Sequence, residues 1–137
     1  LHNCEVICDD KIKSHILKKS IFAISKSGTV SLEICNEKIP SIILYKMGII
    51  NFLIIKMLVN TKFANIINIA AKEEIIPELL QSNCNANNIY KKVSYFLENP
   101  DKIKDQVSRT QIIIKKLKTE KSSAELAAKS LNSFLQN

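Results

Sequence analysis

Residues 21–45, IFAISKSGTVSLEICNEKIPSIILY, decide the fold of this chain. Two short runs within them, 21–25 and 41–45, are rich in isoleucine and other apolar residues, a composition typical of buried strands. A turn at 26–28 and a predicted helix at 29–36 separate the two runs. Helical crossovers of this kind join parallel strands, so the pattern predicts an α/β fold with a parallel sheet and helices on both faces.

The same alternation continues on both sides of this segment. Toward the N-terminus we predict a strand at 5–8, followed by a helix that Asp9 or Asp10 caps and that ends near Lys19. Toward the C-terminus, residues 63–69 are apolar enough to predict a last strand.

Two further segments are predicted to be helical. Residues 48–60 are apolar nearly all round, which indicates a helix that is buried or that rests on a membrane surface. Lysines interrupt the apolar run, and its uninterrupted part falls far short of the ~20 residues that a membrane-spanning helix needs. Residues 77–81 are predicted to form a short helix opened by Pro77, at a position where the missing N–H costs nothing.

The remainder of the chain has a helical pattern. Asn85 is predicted to cap one helix, and the Asn99-Pro100 pair ends it. The next helix carries an apolar stripe that we expect to face a partner, formed by Ile103, Val107, Thr110, Ile114 and Leu117. A last helix is expected to bury Ala124, Ala127, Ala128, Leu131, Phe134 and Leu135. We therefore predict one domain over 1–137, with an α/β core at 1–81 and a helical tail at 82–137.

The chain is basic, with a net charge of +7 from 20 Lys and Arg residues against 13 Asp and Glu residues. Such a balance favours anionic partners: nucleotide phosphates, lipid headgroups or nucleic acid. The lysines are spread over the chain, and aromatic residues do not alternate with them. A dedicated nucleic-acid surface is therefore the weakest of these three interpretations, and we expect no nucleic-acid partner.

The four cysteines, Cys4, Cys8, Cys35 and Cys84, indicate neither a metal site nor a disulfide framework. They form no C-x-x-C pair, and the two histidines complete no zinc spacing. We expect reduced thiols in a cytoplasmic protein, with Cys4 and Cys8 on one buried face of the first strand. No signal-peptide pattern is visible in the sequence.

The most informative residues are those of the turn that opens the helix at 29–36. A helix that starts after a strand presents free backbone N–H groups and the positive end of its dipole to a phosphate. Gly28 lets the backbone approach a ligand closely, and Ser27 and Thr29 add hydroxyl groups. Glu33, one turn further on, can accept both hydroxyls of a ribose. From these residues alone, a helix capped by Ser27 or Thr29 with a solvated Glu33 is the favoured interpretation, because short Ser-Gly-Thr turns are common.

Two blocks of sequence resemble one known family. The string SGTVSLE at 27–33, followed by Pro40 and the run 41–46, resembles the C-terminal domain of lipid-A-disaccharide synthases. Later, the strings NIAA at 68–71 and IPELLQ at 76–81 are similar to the second signature of that family. The order and the spacing of the two blocks agree with the family pattern.

The resemblance implies a fold and a reaction. The family adopts the GT-B glycosyltransferase fold of two facing α/β domains, and the chain resembles its Rossmann-like C-terminal half with a helical tail. Members transfer 2,3-diacylglucosamine from UDP to 2,3-diacylglucosamine 1-phosphate, which forms the lipid A disaccharide. The resemblance implies no cofactor and no metal, because a helix dipole and cationic side chains, here Lys26 or Lys46, would stabilise the departing diphosphate.

The resemblance also implies roles for particular residues. Ser27, Gly28 and Thr29 would contact the diphosphate of the UDP-sugar donor, and Glu33 would hold its ribose. The remaining residues that would line the donor pocket are Asn68, Glu78 and Gln81. No catalytic residue can be assigned, because the N-terminal acceptor domain that supplies the general base in the family is absent from this sequence.

Three positions depart from the family pattern. Ile67 stands where the family usually has Pro, and Lys38 and Lys72 stand where it usually has Gly. A lysine at a position that requires a positive φ is strained, so Lys72 affects the loop of the donor pocket.

The resemblance leaves three interpretations. The chain is the donor-binding part of a glycosyltransferase, inactive alone, which works with a separate N-terminal acceptor-domain chain. It is a non-catalytic nucleotide-sugar or lipid-binding module, or it is the remnant of a decaying gene. The acylated substrates would favour peripheral contact with the cytoplasmic face of the inner membrane.

Overall fold

The computed structural model describes residues 4–48, 62–118, 131 and 133. Over these residues the chain forms a parallel sheet flanked by α-helices. The strands are β1 (Ala23–Lys26), β2 (Ser41–Tyr45) and β3 (Glu78–Leu80). The α-helices are α1 (Asp10–Lys19), α2 (Thr29–Asn36), α3 (Ile66–Ala71), α4 (Ala86–Glu98) and α5 (Pro100–Leu117), and a 3₁₀ turn, Gln81–Asn83, follows β3.

The described strands lie in the order β1-β2-β3, and both pairs are parallel. Ala23 lies opposite Ser41 in the first pair, and Leu44 lies opposite Leu79 in the second. Because the strands run in the same direction, their carboxyl ends meet at one edge of the sheet. Ligands of open α/β sheets bind in the crevice outside this edge.

Helices cover both faces of the sheet, as predicted. Ile42 and Ile43 are neighbours in β2 and both are fully buried, so their side chains enter two separate cores on opposite faces. The first core joins β2 to α2, α3 and α5, and contains Cys35, Ile43, Ile67, Ile75, Ile76, Ile113 and Ile114. The second joins β2 and β3 to α4, through Ile42, Leu79 and Phe96.

At the N-terminal end, the predicted helix is confirmed and the predicted strand is wrong. The Asp9 carboxylate accepts hydrogen bonds from the N–H groups of Lys11 at 2.8 Å and Ile12 at 3.0 Å, and so caps α1. Residues 5–8 form no regular structure, and Val6 is 89% exposed. The short run pairs with none of the described strands, and without a neighbour its apolar residues do not hold an extended backbone.

The cysteines of the predicted strand are consequently not buried. Cys4 and Cys8 are exposed, whereas Cys35 is buried in α2 and Cys84 is half-buried. All four are free thiols.

Two elements in the middle of the chain differ from their predictions. Within 63–69 the chain turns into α3, because the Asn65 side chain accepts a hydrogen bond from Ile67 N at 2.9 Å and caps a helix. Residues 77–81 contain β3 rather than a helix, since the Pro77 carbonyl accepts from Ile43 N at 2.9 Å and starts the pairing with β2. Short apolar runs do not distinguish strand from helix, and here tertiary pairing decides. Of the helix predicted at 48–60, only Gly48 lies within the described residues, and it is not helical.

The predicted helices α4 and α5 are confirmed, but four residues of the stripe on α5 are buried or half-buried within the chain, and only Leu117 of the five is exposed. Asn85 caps α4 by accepting from Asn88 N at 3.0 Å, and Pro100 begins α5. Thr110 and Ile114, two members of the stripe, are buried against the chain itself, so they are not a free surface for a missing domain. Leu131, placed on a buried face by the sequence, is 65% exposed, and the other residues of that face lie outside the described residues.

Candidate functional site

The turn between β1 and α2 exposes bare backbone at the start of a helix. Gly28 is the N-cap of α2, with φ 147° and ψ −164°, a region of backbone space that is essentially restricted to glycine. Apart from Gly28 and its two chain neighbours, no heavy atom lies within 4 Å of the place where a Cβ would stand. The N–H groups of Thr29 and Val30 at the start of α2 have no partner within the helix, whereas Ser31 N donates to the Gly28 carbonyl at 3.2 Å. The turn therefore offers N–H donors next to open space, the arrangement that an anion requires.

The three side chains of this predicted site have different surroundings. The Ser27 hydroxyl donates to the carbonyl of Ala64 at 2.7 Å, so it holds a neighbouring loop. Thr29, the first residue of α2, is exposed. Glu33 is also exposed and forms an ion pair of 3.4 Å with Lys13 on α1. The Glu33 side chain is 53% exposed, so its carboxylate is accessible to a ligand. It also borders a largely apolar cavity of about 520 Å³ lined by α2, α3 and α5.

Glu78 gathers three hydrogen bonds at the first residue of β3. One carboxylate oxygen accepts from Ala64 N at 2.7 Å. The other accepts from Asn65 N at 3.0 Å and from the Asn68 side-chain amide at 2.7 Å. The carboxylate thereby holds the loop before α3 against the sheet.

Asn68 is fully buried, and its side-chain amide bonds to the chain at both ends. Its oxygen accepts from the N–H groups of Ile75 and Ile76, each at 2.9 Å. Its nitrogen donates to the Ile76 carbonyl at 2.7 Å as well as to Glu78. Asn68 thus orients Glu78 and the segment that leads into β3.

Gln81 joins the ends of β2 and β3. Its side-chain oxygen accepts from Met47 N at 2.9 Å, and its side-chain nitrogen donates to the Met47 carbonyl at 3.2 Å. The residue has a left-handed φ of 50°. Of the seven predicted site residues, Ser27, Gly28 and Thr29 follow β1, Gln81 follows β3 and Glu33 lies on α2, whereas Glu78 begins β3 and Asn68 lies on α3.

Two lysines also lie at this edge. Lys26 ends β1, and its ammonium group lies 5.8 Å from the centre of the Tyr45 ring. Lys46 follows β2 directly and is exposed. Both are positioned to add positive charge outside the carboxyl ends of the strands.

The departures from the family pattern have visible consequences. Lys38 and Lys72, at the two glycine positions, adopt left-handed φ values of 62° and 59°. Lys72 is the C-cap of α3. Its neighbour Glu73 lies 2.6 Å from Arg109 of α5, and this hydrogen bond raises the pKa of the guanidinium. Ile67 supplies the N–H that Asn65 accepts, which a proline could not donate.

Sequence reasoning missed two buried polar residues of the site, Asn65 and Ser31. The Asn65 amide nitrogen donates to the Ser31 hydroxyl at 2.9 Å, and that hydroxyl donates to the Gly28 carbonyl at 2.6 Å. Asn65 precedes an apolar run, a position typical of helix caps, so a cap could have been predicted there. The link to Ser31 spans 34 residues and has no local signal.

Two classes of site are not found among the described residues. No group of three or more His, Cys, Asp or Glu side chains is arranged to hold a metal ion in that part of the chain. No helix there is long and apolar enough to cross a membrane.

The fold and the turn define an α/β structure in which a glycine turn and a helix N-terminus follow the first described strand of a parallel sheet. The model of the lipid-A-disaccharide synthetase family matches residues 2–131, and the chain belongs to this family.

Several rickettsial relatives are named lipid-A-disaccharide synthase. The protein of Rickettsia prowazekii is 38% identical over 125 residues, which cover 90% of this chain and 32% of the relative. That of Rickettsia bellii is 39% identical over 108 residues, 79% of this chain and 28% of the relative. That of Rickettsia conorii is 44% identical over 95 residues, 69% of this chain and 21% of the relative. The chain therefore spans about a third or less of the length of these relatives.

Proposed function

We propose that this chain is the UDP-sugar-binding part of a lipid-A-disaccharide synthase. The complete reaction would transfer 2,3-diacylglucosamine from UDP to 2,3-diacylglucosamine 1-phosphate. The observation that carries the proposal is the Gly28 turn at the N-terminus of α2, with the accessible Glu33 carboxylate one turn into the same helix. Family membership gives this geometry its substrate class.

Each residue has a role in the proposed donor site. The diphosphate accepts hydrogen bonds from the first N–H groups of α2 and from the Thr29 hydroxyl, and the ribose hydroxyls donate to Glu33. Ser27, Asn68, Glu78 and Gln81 act through the loops they hold, because their side chains already bond to the chain. Lys26 and Lys46 add positive charge that favours the departing UDP.

The proposal assigns no general base among the described residues. The relatives are about three to five times as long as the segment they share with this chain, so the acceptor half is expected on another part of the enzyme or on a separate chain. The acyl chains of both substrates would place the assembled enzyme against the cytoplasmic face of the inner membrane.

Calorimetric titration with UDP tests the donor site. The native chain is expected to bind UDP, and Glu33→Ala to weaken binding about tenfold or more, as expected for the loss of hydrogen bonds to a charged group. Glu37→Ala, one turn further along at the end of α2, is the matched control and should bind like the native chain. Lys13→Ala removes the ion pair but keeps the Glu33 carboxylate, and it should also retain binding.

Gly28→Ala tests the turn independently of the ribose. Alanine cannot adopt the observed φ and ψ without strain of about 1–3 kcal/mol, so both stability and UDP affinity should fall. Gly48→Ala is the control, because Gly48 has equal space around it and no left-handed φ. A folded native chain without UDP binding, or a Gly28→Ala variant with native affinity, would contradict the proposed site.

A separate assay addresses turnover. The purified chain is expected to form no disaccharide from the two acylated glucosamine substrates. Product formation by the chain alone would show that the described α/β part and its neighbouring residues suffice for catalysis.

A further inference from the structure

A closed ring of hydrogen bonds connects the Gly28 turn to the loop before α3, which Glu78 of β3 holds. The Glu78 carboxylate accepts from the N–H groups of Ala64 and Asn65. From Asn65 the ring continues through its side-chain amide to the Ser31 hydroxyl and on to the Gly28 carbonyl. It returns from Ser27, next to Gly28 in the chain, through its hydroxyl to the Ala64 carbonyl.

We infer that Asn65 and Ser31 are positioning residues of the donor site, which hold the Gly28 turn in its anion-accepting conformation. This inference rests on the proposed function and deepens it, because it names residues that neither the turn itself nor the resemblance assigns. Asn65 and Ser31 are both fully buried, so they cannot contact a ligand and act only through the turn.

The geometry of Asn65 gives it two separable tasks. Its side-chain oxygen accepts from Ile67 N and caps α3, whereas its side-chain nitrogen donates to Ser31. Serine at this position would keep a capping oxygen and lose the donor. Asn65→Ser therefore interrupts the ring and leaves α3 its cap.

Ser31 connects the ring to the backbone that would face the diphosphate. Its hydroxyl hydrogen is directed to the Gly28 carbonyl, and its own N–H also donates there at 3.2 Å. These bonds fix the peptide plane between Gly28 and Thr29. Because that plane carries the Thr29 N–H, its orientation decides whether the N–H faces the ligand.

The first experiment uses NMR to measure how the hydrogen-bond ring affects the Gly28-Thr29 peptide in the ligand-free chain. Gly28-Thr29 is the only Gly-Thr pair in the sequence, so labelling with ¹³C′-glycine and ¹⁵N-threonine selects one carbonyl–nitrogen pair. Asn65→Ser and Ser31→Ala are both expected to shift this signal, although Asn65 lies 37 positions from Gly28. The buried-hydroxyl control Thr110→Val, on α5, should leave it in place.

The second experiment compares UDP with uridine on the full chain. In the native chain the diphosphate should tighten binding relative to uridine. Asn65→Ser and Ser31→Ala should each lower the ratio of UDP affinity to uridine affinity about tenfold and leave uridine affinity unchanged. Simple destabilisation of the fold would not weaken one ligand alone. Thr110→Val should keep the whole increment. Thermal melts confirm that each variant is folded.

The outcomes separate the two proposals. If the native chain binds UDP more tightly than uridine and both ring variants keep the increment, the positioning role is overturned and the donor site stands. If the folded native chain shows no increment for the diphosphate, both are overturned. An unmoved Gly28-Thr29 signal in the two variants overturns the positioning role without reference to any ligand.

Discussion

At the scale of single residues, left-handed backbone conformations lie where helices and strands end. Three described non-glycine residues have left-handed φ values: Lys38, Lys72 and Gln81. Lys72 ends α3, and Gln81 follows β3 and holds Met47 by two hydrogen bonds. The surrounding contacts must hold these conformations, because L-residues reach them only at a free-energy cost.

Lys72→Gly is expected to stabilise the chain. Glycine adopts φ 59° and ψ 22° without steric cost, and about 0.5–1 kcal/mol should remain after the greater entropy of glycine in the unfolded state is subtracted. Urea unfolding followed by circular dichroism measures the gain. Lys62→Gly, at an exposed residue without a left-handed φ, is the control and should show none. Equal effects of the two changes would contradict strain at Lys72.

Cys35 should make stability fall at alkaline pH. Burial raises the pKa of its thiol to about 11, from an ordinary value of 9.0. Below about pH 9 the thiol is protonated in both states; between about pH 9 and 11 only the unfolded chain loses the proton. Stability should therefore fall by about 2–3 kcal/mol across this window relative to Cys35→Ala. Parallel pH profiles of the two proteins would contradict the expectation.

At the scale of elements, α5 is fastened to the sheet through one buried amide. The Gln106 side chain accepts from Ser41 N at 2.8 Å and donates to the Ser41 carbonyl at 3.0 Å, at the first residue of β2. It also donates to the Ile75 carbonyl at 3.3 Å, ahead of β3. One helix thus sets the starting points of two strands, whose other ends lead to Lys46 and Gln81.

Gln106→Ala is expected to lower the free energy of unfolding by about 2–3 kcal/mol. The change leaves the buried N–H and carbonyl of Ser41 without these partners, and a buried unsatisfied polar group costs about 1–3 kcal/mol. Denaturant unfolding measures the loss. Ser108→Ala removes an exposed hydroxyl from the same helix and should stay within about 0.5 kcal/mol of the native chain. A Gln106→Ala variant as stable as Ser108→Ala would show that water replaces these bonds.

At the scale of the whole molecule, the net charge of +7 suits an anionic ligand. Charge at a distance attracts a nucleotide but does not orient it, since exposed charges are screened beyond about 10 Å at 0.1 M salt. Orientation depends instead on the short-range hydrogen bonds of the Gly28 turn and on Glu33.

UDP binding should therefore weaken as salt rises. Between about 0.1 M and 1 M salt the screening length falls from about 10 Å to about 3 Å, so the UDP dissociation constant should increase severalfold. Uridine, which carries no charge, should bind almost independently of salt. Titrations of both ligands at the two salt concentrations measure the difference. An equal response of UDP and uridine would contradict an electrostatic contribution to diphosphate binding.

The sequence by itself determined the elements that have strong local signals. The strand 41–45, the helix 29–36 and the caps at Asp9 and Asn85 follow from composition and from side-chain oxygens near free N–H groups. The turn at Gly28 and the family motif that contains it are formed by adjacent residues, so both can be predicted from the sequence.

Only the tertiary structure decided the elements and contacts that depend on distant partners. The segment 78–80 is a strand because β2 lies beside it, whereas 5–8 is not, because no described strand does. Likewise, the ring through Ser31, Asn65 and Glu78 joins residues that are far apart in sequence. Strand pairing and buried hydrogen bonds form between segments that are distant in sequence, and a local pattern does not predict which segments will be in contact.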